Sequence, residues 1–212
     1  LIDQNLKYLI DNIPNYQKKN FKEVDIGGNA DIKINLNASK DYSKKFLKST
    51  YEIREGKLYF KDQSTWMHDI NIKGFIESGS DLNLEKFIIN VEEASAKINK
   101  KSKINGSFTI SDFNRPILNT KLNYDLDLAE INQNLKNSPF TNIKGNIQGN
   151  TIYKRSISNK FGISQLIKNG KHHLKNKNKD IVFSYKDFKK DFTIQLINAS
   201  YKNDNFNIKE SK

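Results

Sequence analysis

Along this chain the apolar residues first recur every three to four positions and then, for most of the length, every two. Ile2, Leu6, Leu9, Ile10 and Ile13 fall on one side of a helix, which Pro14 stops because it has no N–H to continue the ladder. The opposite side is not basic, so this short amphipathic helix is expected to pack on protein rather than lie on a membrane surface. From Val24 the period becomes two. Val24, Ile26, Gly28, Ala30, Ile32, Ile34 and Leu36 alternate with mostly polar residues, giving a long strand with one apolar and one wet face.

The alternation continues with interruptions. Tyr51 and Ile53 precede Arg54-Glu55-Gly56, and Leu58 and Phe60 follow it, which reads as a hairpin. Ile70, Ile72, Gly74 and Ile76 form the next strand, ended by the breaker Glu77-Ser78-Gly79-Ser80. Leu82 and Leu84 then give way to Phe87, Ile89 and Val91, and this shift from even to odd positions predicts a bulge or a new strand. Ile104, Gly106, Phe108 and Ile110 come next, before the turn Asp112-Phe113-Asn114-Arg115-Pro116. The cleanest run is Leu118 to Leu128: Leu118, Thr120, Leu122, Tyr124, Leu126 and Leu128 share one face, and only Asn, Lys and Asp occupy the other. A strand buried on both faces would not alternate so strictly, so the sheet is expected to be antiparallel.

A helical turn is predicted over 129–135, and Ile143 to Tyr153 resumes the period of two. The pattern dissolves between Lys154 and Asp180 into Lys, Asn, Ser and Gly, which predicts a long loop. Strands at 181–185, 192–200 and 206–208 close the chain. The expected organisation is an amphipathic helix and linker (1–20), a β-sheet region (21–153), a Lys/Asn-rich loop (154–180) and C-terminal strands continuing the sheet (181–212). The fold class is all-β, mainly antiparallel, an open or curled groove-like sheet with a short N-terminal helix. A phrase Ile-x-Gly recurs at Ile26-Gly27-Gly28, Ile72-Lys73-Gly74, Ile104-Asn105-Gly106 and Ile143-Lys144-Gly145, at glycine spacings of 46, 32 and 39 residues. That is too irregular for a solenoid but suits a repeated hairpin unit with glycine admitting a bend or a close approach.

Composition sharpens this picture. Only 36% of the residues are hydrophobic, against roughly 45–50% in soluble domains, so apolar residues are concentrated on one face of each element. The net charge of +12 lies mostly in the last third, where 151–212 holds 14 basic and 5 acidic residues. Nearly all the cations are Lys, and only Arg54, Arg115 and Arg155 offer the planar fork that reads phosphates and guanine edges. Nucleic acid is therefore not the expected partner. The Lys-rich stretch 168–190, with Phe183, Tyr185 and Phe188, is expected to be solvated rather than an anion site. The chain opens on Leu1, which reads as a fragment or processed form, any signal peptide or anchor of which would lie upstream, and no run of about 18 apolar residues could form a transmembrane helix.

Candidate chemistry is sparse. There is no Cys for a thiolate site or a cysteine nucleophile, and only three His. Asp125 and Asp127 fall on one strand face, about 7 Å apart at a rise of roughly 3.3 Å per residue, a spacing that glycosidase carboxylates use. Their position on the wet face argues for solvation instead. His172 and His173 sit among lysines that oppose a metal cation, and His68, beside Trp66 and Met67, reads as a packing residue. Asp25-Ile26-Gly27-Gly28-Asn29 lacks the Lys-Ser/Thr of a phosphate loop, and no nucleophile elbow occurs. No catalytic residue, metal site or cofactor is expected, and the chain does not read as an enzyme.

The phrases Glu55-Gly56-Lys57-Leu58, Ile70-Asn71-Ile72-Lys73-Gly74, Asp81-Leu82-Asn83-Leu84 and Ile104-Asn105-Gly106-Ser107-Phe108-Thr109-Ile110, leading through Pro116 to Tyr124-Asp125-Leu126-Asp127-Leu128, carry a likeness. From Glu55 to Gly149 the chain resembles the AsmA-like family of bacterial envelope proteins, which includes the TamB-type proteins. The resemblance implies a periplasmic location, an inner-membrane anchor in the full-length protein, and an apolar β-groove that conducts phospholipid toward the outer membrane, with outer-membrane assembly proteins as further partners. It implies a phospholipid or other acyl-chain ligand lying against Ile26, Ile32, Ile34, Ile72, Phe108, Leu122, Tyr124 and Leu126. The alternative is a structural or protein-interaction β-sandwich module of the envelope, whose apolar faces pack on each other.

Overall fold

In the computed structural model the alternation of side chains becomes a single dominant sheet. Residues 4–11, 24–38, 45–61, 65–132, 140–156, 170–176, 180–185, 191–195, 197–202 and 205–211 are described. The elements are β1 (Gln4–Asn5), α1 (Leu6–Asp11), β2 (Val24–Ala38), β3 (Lys45–Phe60), β4 (Thr65–Glu77), β5 (Ile88–Ile98), β6 (Ser102–Ser111), β7 (Ile117–Asp127), α2 (Leu128–Asn132), β8 (Phe140–Lys144), β9 (Asn146–Ser156), β10 (Lys171–Asn176), β11 (Ile181–Tyr185), β12 (Asp191–Ile194), β13 (Ile197–Lys202) and β14 (Asn205–Ser211). Eleven strands form one sheet in the order β1-β2-β3-β4-β5-β6-β7-β9-β10-β13-β14, and every pairing is antiparallel. The sheet curls without closing, and the fold is all-β as the alternation predicts.

Near-neighbour pairing explains the order. From β2 to β7 each strand turns back on the one before it, which short connections permit only in antiparallel pairs. The second sheet, β12-β11-β8, is joined to the first end on. Gly145 alone separates β8 from β9, residues 177–180 separate β10 from β11, and residues 195–196 separate β12 from β13. Three neighbouring strands of the main sheet thus break together and continue as a small one. Gly145 has φ +116, a conformation that L side chains rarely adopt, and a Cβ there would strike Asp180 and Ile181.

Several expectations change in the structure. Arg54-Glu55-Gly56 is not a hairpin but a bulge inside the 16-residue β3, which pairs along its length with both β2 and β4. Glu55 takes φ +53, so the chain carries a turn-like residue without turning, and the extra residue moves the apolar positions from Tyr51 and Ile53 to Leu58 and Phe60. Leu82 and Leu84 belong to two 3-10 turns, Ser80–Leu82 and Leu84–Lys86, so the change of parity before Ile89 marks a new strand. A further bulge at Glu92 and Glu93 then returns β5 to even parity.

Ile143 and Ile147, read as one strand, lie in different sheets on either side of Gly145. Within 154–180, expected to be a loop, β9 extends to Ser156 and β10 occupies 171–176; residues 157–169 and 177–179 lie outside the described residues. Of the strands expected to continue the sheet after residue 181, β13 and β14 do, whereas β11 and β12 pair with each other and β11 with β8 in the small sheet. The N-terminal helix spans Leu6–Asp11; Ile2, Ile13 and Pro14 lie outside the described residues.

Candidate functional site

Opposed residues in an antiparallel ladder project to the same side, so the register lays the apolar positions out in rows that cross the strands. One row runs Ile32, Tyr51, Gly74, Val91, Phe108, Thr120, Tyr153 from β2 to β9. The next towards one end runs Ile34, Ser49, Ile76, Ile89, Ile110, Leu118. On the other side lie Ala30, Ile53, Ile72, Ala94, Gly106, Leu122, Thr151, His172, Tyr201. Ile104, Tyr124, Gly149, Leu174 and Ala199 form a fourth row, and Ile26, Leu58, Met67 and Ile98 begin a fifth that Leu126 and Ile147 resume.

All eight residues singled out in the sequence therefore share this one face. Ile26, Ile32, Ile72, Phe108, Leu122, Tyr124 and Leu126 are half-buried on it, and Ile34 is 62% exposed near the end of β2. The buried side chains of the main sheet gather on the same side: Ala30, Ile70, Val91, Leu118, Tyr153 and Ala199 among the apolar ones. The polar residues buried there are small or paired. Thr120 donates to the Ser107 carbonyl at 3.0 Å, and Thr151 Oγ1 lies 2.7 Å from His172 Nδ1.

Glycine makes room on this face. Tyr51 stands directly opposite Gly74, and its hydroxyl reaches one strand further to donate to the Asn90 carbonyl at 3.0 Å. Tyr124 lies opposite Gly149 in the same way. A Cβ on Gly74 would collide with the Asn90 carbonyl and the Tyr51 ring, and one on Gly149 with the Tyr124 ring and the His173 carbonyl. Burial pushes the phenol pKa of both tyrosines above the ordinary value of 10.0; Glu92 adds to the rise at Tyr51, and a hydrogen bond with Thr151 partly offsets it at Tyr124. The recurrent Ile-x-Gly phrase thus has two physical uses. Gly74 and Gly106 admit a facing side chain, while Gly28 and Gly145 hold positive φ at a bulge and a break.

At the end of β7 the chain turns into α2. The Asp127 carboxylate accepts from the N–H groups of Ala129 and Glu130 and so caps this helix, and Ser102 Oγ accepts from the Asp127 N–H at 2.9 Å. Glu130 in turn accepts from the N–H groups of Lys100, Lys101 and Ser102 and from the Ser102 hydroxyl, tying the helix to the β5–β6 turn. Asp127 is therefore buried and structural, not the solvated partner of Asp125 that its spacing suggests.

His172 departs from its sequence reading as well. It is buried on the apolar face with its ring 5.8 Å from that of Tyr201, whereas His173 points to the polar side. The clue was present in the period of two through His172 and Leu174, masked by the surrounding Lys and Asn. His68 lies near the start of the interior strand β4, its Nε2 2.7 Å from the Asn99 carbonyl and its Nδ1 3.4 Å from Asp69. Hydrogen bonds from Lys97 and His68 hold the Asp69 carboxyl below its ordinary range.

Among the described residues no group of three His, Asp or Glu is placed to hold a metal ion, and no helix is long and apolar enough to cross a membrane. Comparison with protein-family models, with curated proteins and with solved structures finds no match.

Proposed function

We propose that this chain is a lipid-binding or lipid-conducting β-groove segment of the bacterial cell envelope, acting between membranes in envelope biogenesis. The observation that carries the reading is the continuity of the apolar face, whose rows of Ile, Leu, Val, Phe and Tyr run from β2 to β9 without a charged residue in the row through Val91. A contiguous apolar surface of this kind normally marks a ligand or partner, and acyl chains match its chemistry. The resemblance to AsmA-like proteins supports the same ligand, a periplasmic setting and an inner-membrane anchor in the full-length protein. In this reading Ile26, Ile32, Ile34, Ile72, Phe108, Leu122, Tyr124 and Leu126 contact the acyl chains and headgroups remain in water.

Burying a methylene is worth about 0.8 kcal/mol, so among short fatty acids the affinity should rise about fourfold per added carbon. Titration with acids of increasing length reads this directly, and affinity independent of chain length would reject a groove for acyl chains. In cells, a photo-crosslinking residue at Leu122 or Leu126 is expected to capture lipid, and one at Asn123, on the opposite face, is not. Adducts to protein alone from Leu122 and Leu126 would instead indicate an interaction module.

A further inference from the structure

The polar face of the main sheet carries a feature bordered by four of the residues that the lipid reading uses, Ile32, Ile34, Ile72 and Tyr124, and otherwise independent of that reading. Three hollows of about 890, 390 and 470 Å³ follow one another across it, within the range of roughly 300–1,000 Å³ typical of ligand sites. The first spans β2 to β5 and shares Glu52 and Lys73 with the second; the second shares Asn105 with the third, which runs on to β13. They form one trough crossing the strands.

Its chemistry differs from that of the chain as a whole. Although the protein carries a net charge of +12, five lysines and five carboxylates line the trough, so it offers no positive surplus to a polyanion. Six amide side chains line it too, mostly at the β6–β13 end. Asparagine is disfavoured in strands, yet Asn105, Asn123 and Asn150 stand opposite one another on β6, β7 and β9, with His173 next on β10. Asn123 donates to Asn105 at 3.2 Å, while the Asn150 amide and the His173 ring have no protein partner among the described residues. An amide both donates and accepts, as does a sugar hydroxyl.

We propose that this trough binds a neutral, linear oligosaccharide, laid across the strands with its hydroxyls on the Asn105–Asn123–Asn150–His173 row. Neutrality follows from the balanced charges, and linearity from the succession of hollows.

The test is calorimetric titration of the whole chain with three probes, maltotetraose, cellotetraose and tetra-N-acetylchitotetraose. At least one is expected to bind, with affinity changing less than about twofold between about 50 and 500 mM salt, because no counterions are released. The double variant Asn123→Thr, Asn150→Thr introduces residues that strands favour, and should weaken binding at least about tenfold with an unchanged far-UV spectrum. Should that variant misfold, the Asn123 and Asn150 side-chain amide resonances of the unaltered protein must shift on adding the bound probe. Failure of all three sugars to bind, steep salt dependence, wild-type affinity in the folded variant, or unmoved amide resonances would each overturn the proposal. So would preference for an extended Gly-Ser peptide over every sugar.

Discussion

Tyr51 over Gly74 and Tyr124 over Gly149 are where single residues decide most in this protein. Each sets a tyrosine directly opposite a glycine, the one residue type that leaves space for its ring. Gly74→Ala must displace the Asn90 backbone as well as the tyrosine ring, so we expect a loss of about 1–3 kcal/mol, read as a lower urea midpoint at unchanged slope. The same tyrosines set an alkaline limit. Their folded pKa values lie above 10.0, so their contribution to stability is complete below about pH 10 and is lost as pH rises through the raised values. Thermal melts should show the midpoint falling above pH 10, with a shallower fall in the Tyr51→Phe, Tyr124→Phe variant; equal slopes would place the titrating groups elsewhere. The alternation of Tyr51 and Tyr124 was legible in sequence. Their glycine partners were not, because pairing depends on register and the bulges at Glu55 and Glu92 reset it.

At the scale of elements, α2 shows how a five-residue helix is held where propensity alone would leave it unformed. Asp127 caps it and Glu130 anchors it to the β5–β6 turn. Replacing Glu130 by Ala frees three backbone donors, two of them beside solvent, and should cost about 1–2 kcal/mol in urea unfolding. Glu130→Gln should recover part of that loss, since its amide oxygen can still accept; an alanine variant as stable as the parent would mean that α2 is not anchored through this carboxylate. A helical turn here is readable from the end of the alternation after Leu128. The capping role of Asp127 is not, since on an ideal strand it is one more wet-face carboxylate, and only the turn into α2 buries it.

Taken whole, the molecule is an open sheet, and open sheets have ends to protect. At the far end of β2, Ile34 and Leu36 are 62% and 66% exposed, next to Lys33, Asn35 and Asn37. Beyond Asn29 and Ala30, which pair with β1, the described residues put no strand against the outer side of β2, and alternating exposed apolar residues there favour pairing with another chain. We expect Ile34→Lys with Leu36→Lys to reduce concentration-dependent light scattering while leaving the secondary structure intact. Unchanged scattering would locate self-association in another surface.

The chain's own alternation already gives the strand periodicity, the two unlike faces, the antiparallel sense and, within each run unbroken by a bulge, the members of one face, because a period of two puts residues i and i+2 on the same side. Which strands pair, the break at Gly145, the strand at 171–176 and the burial of His172 emerge in the folded sheet. Those outcomes depend on register and on partners distant in the chain: β10, short and rich in Lys and Asn, is a strand because β9 and β13 offer it hydrogen bonds on both sides.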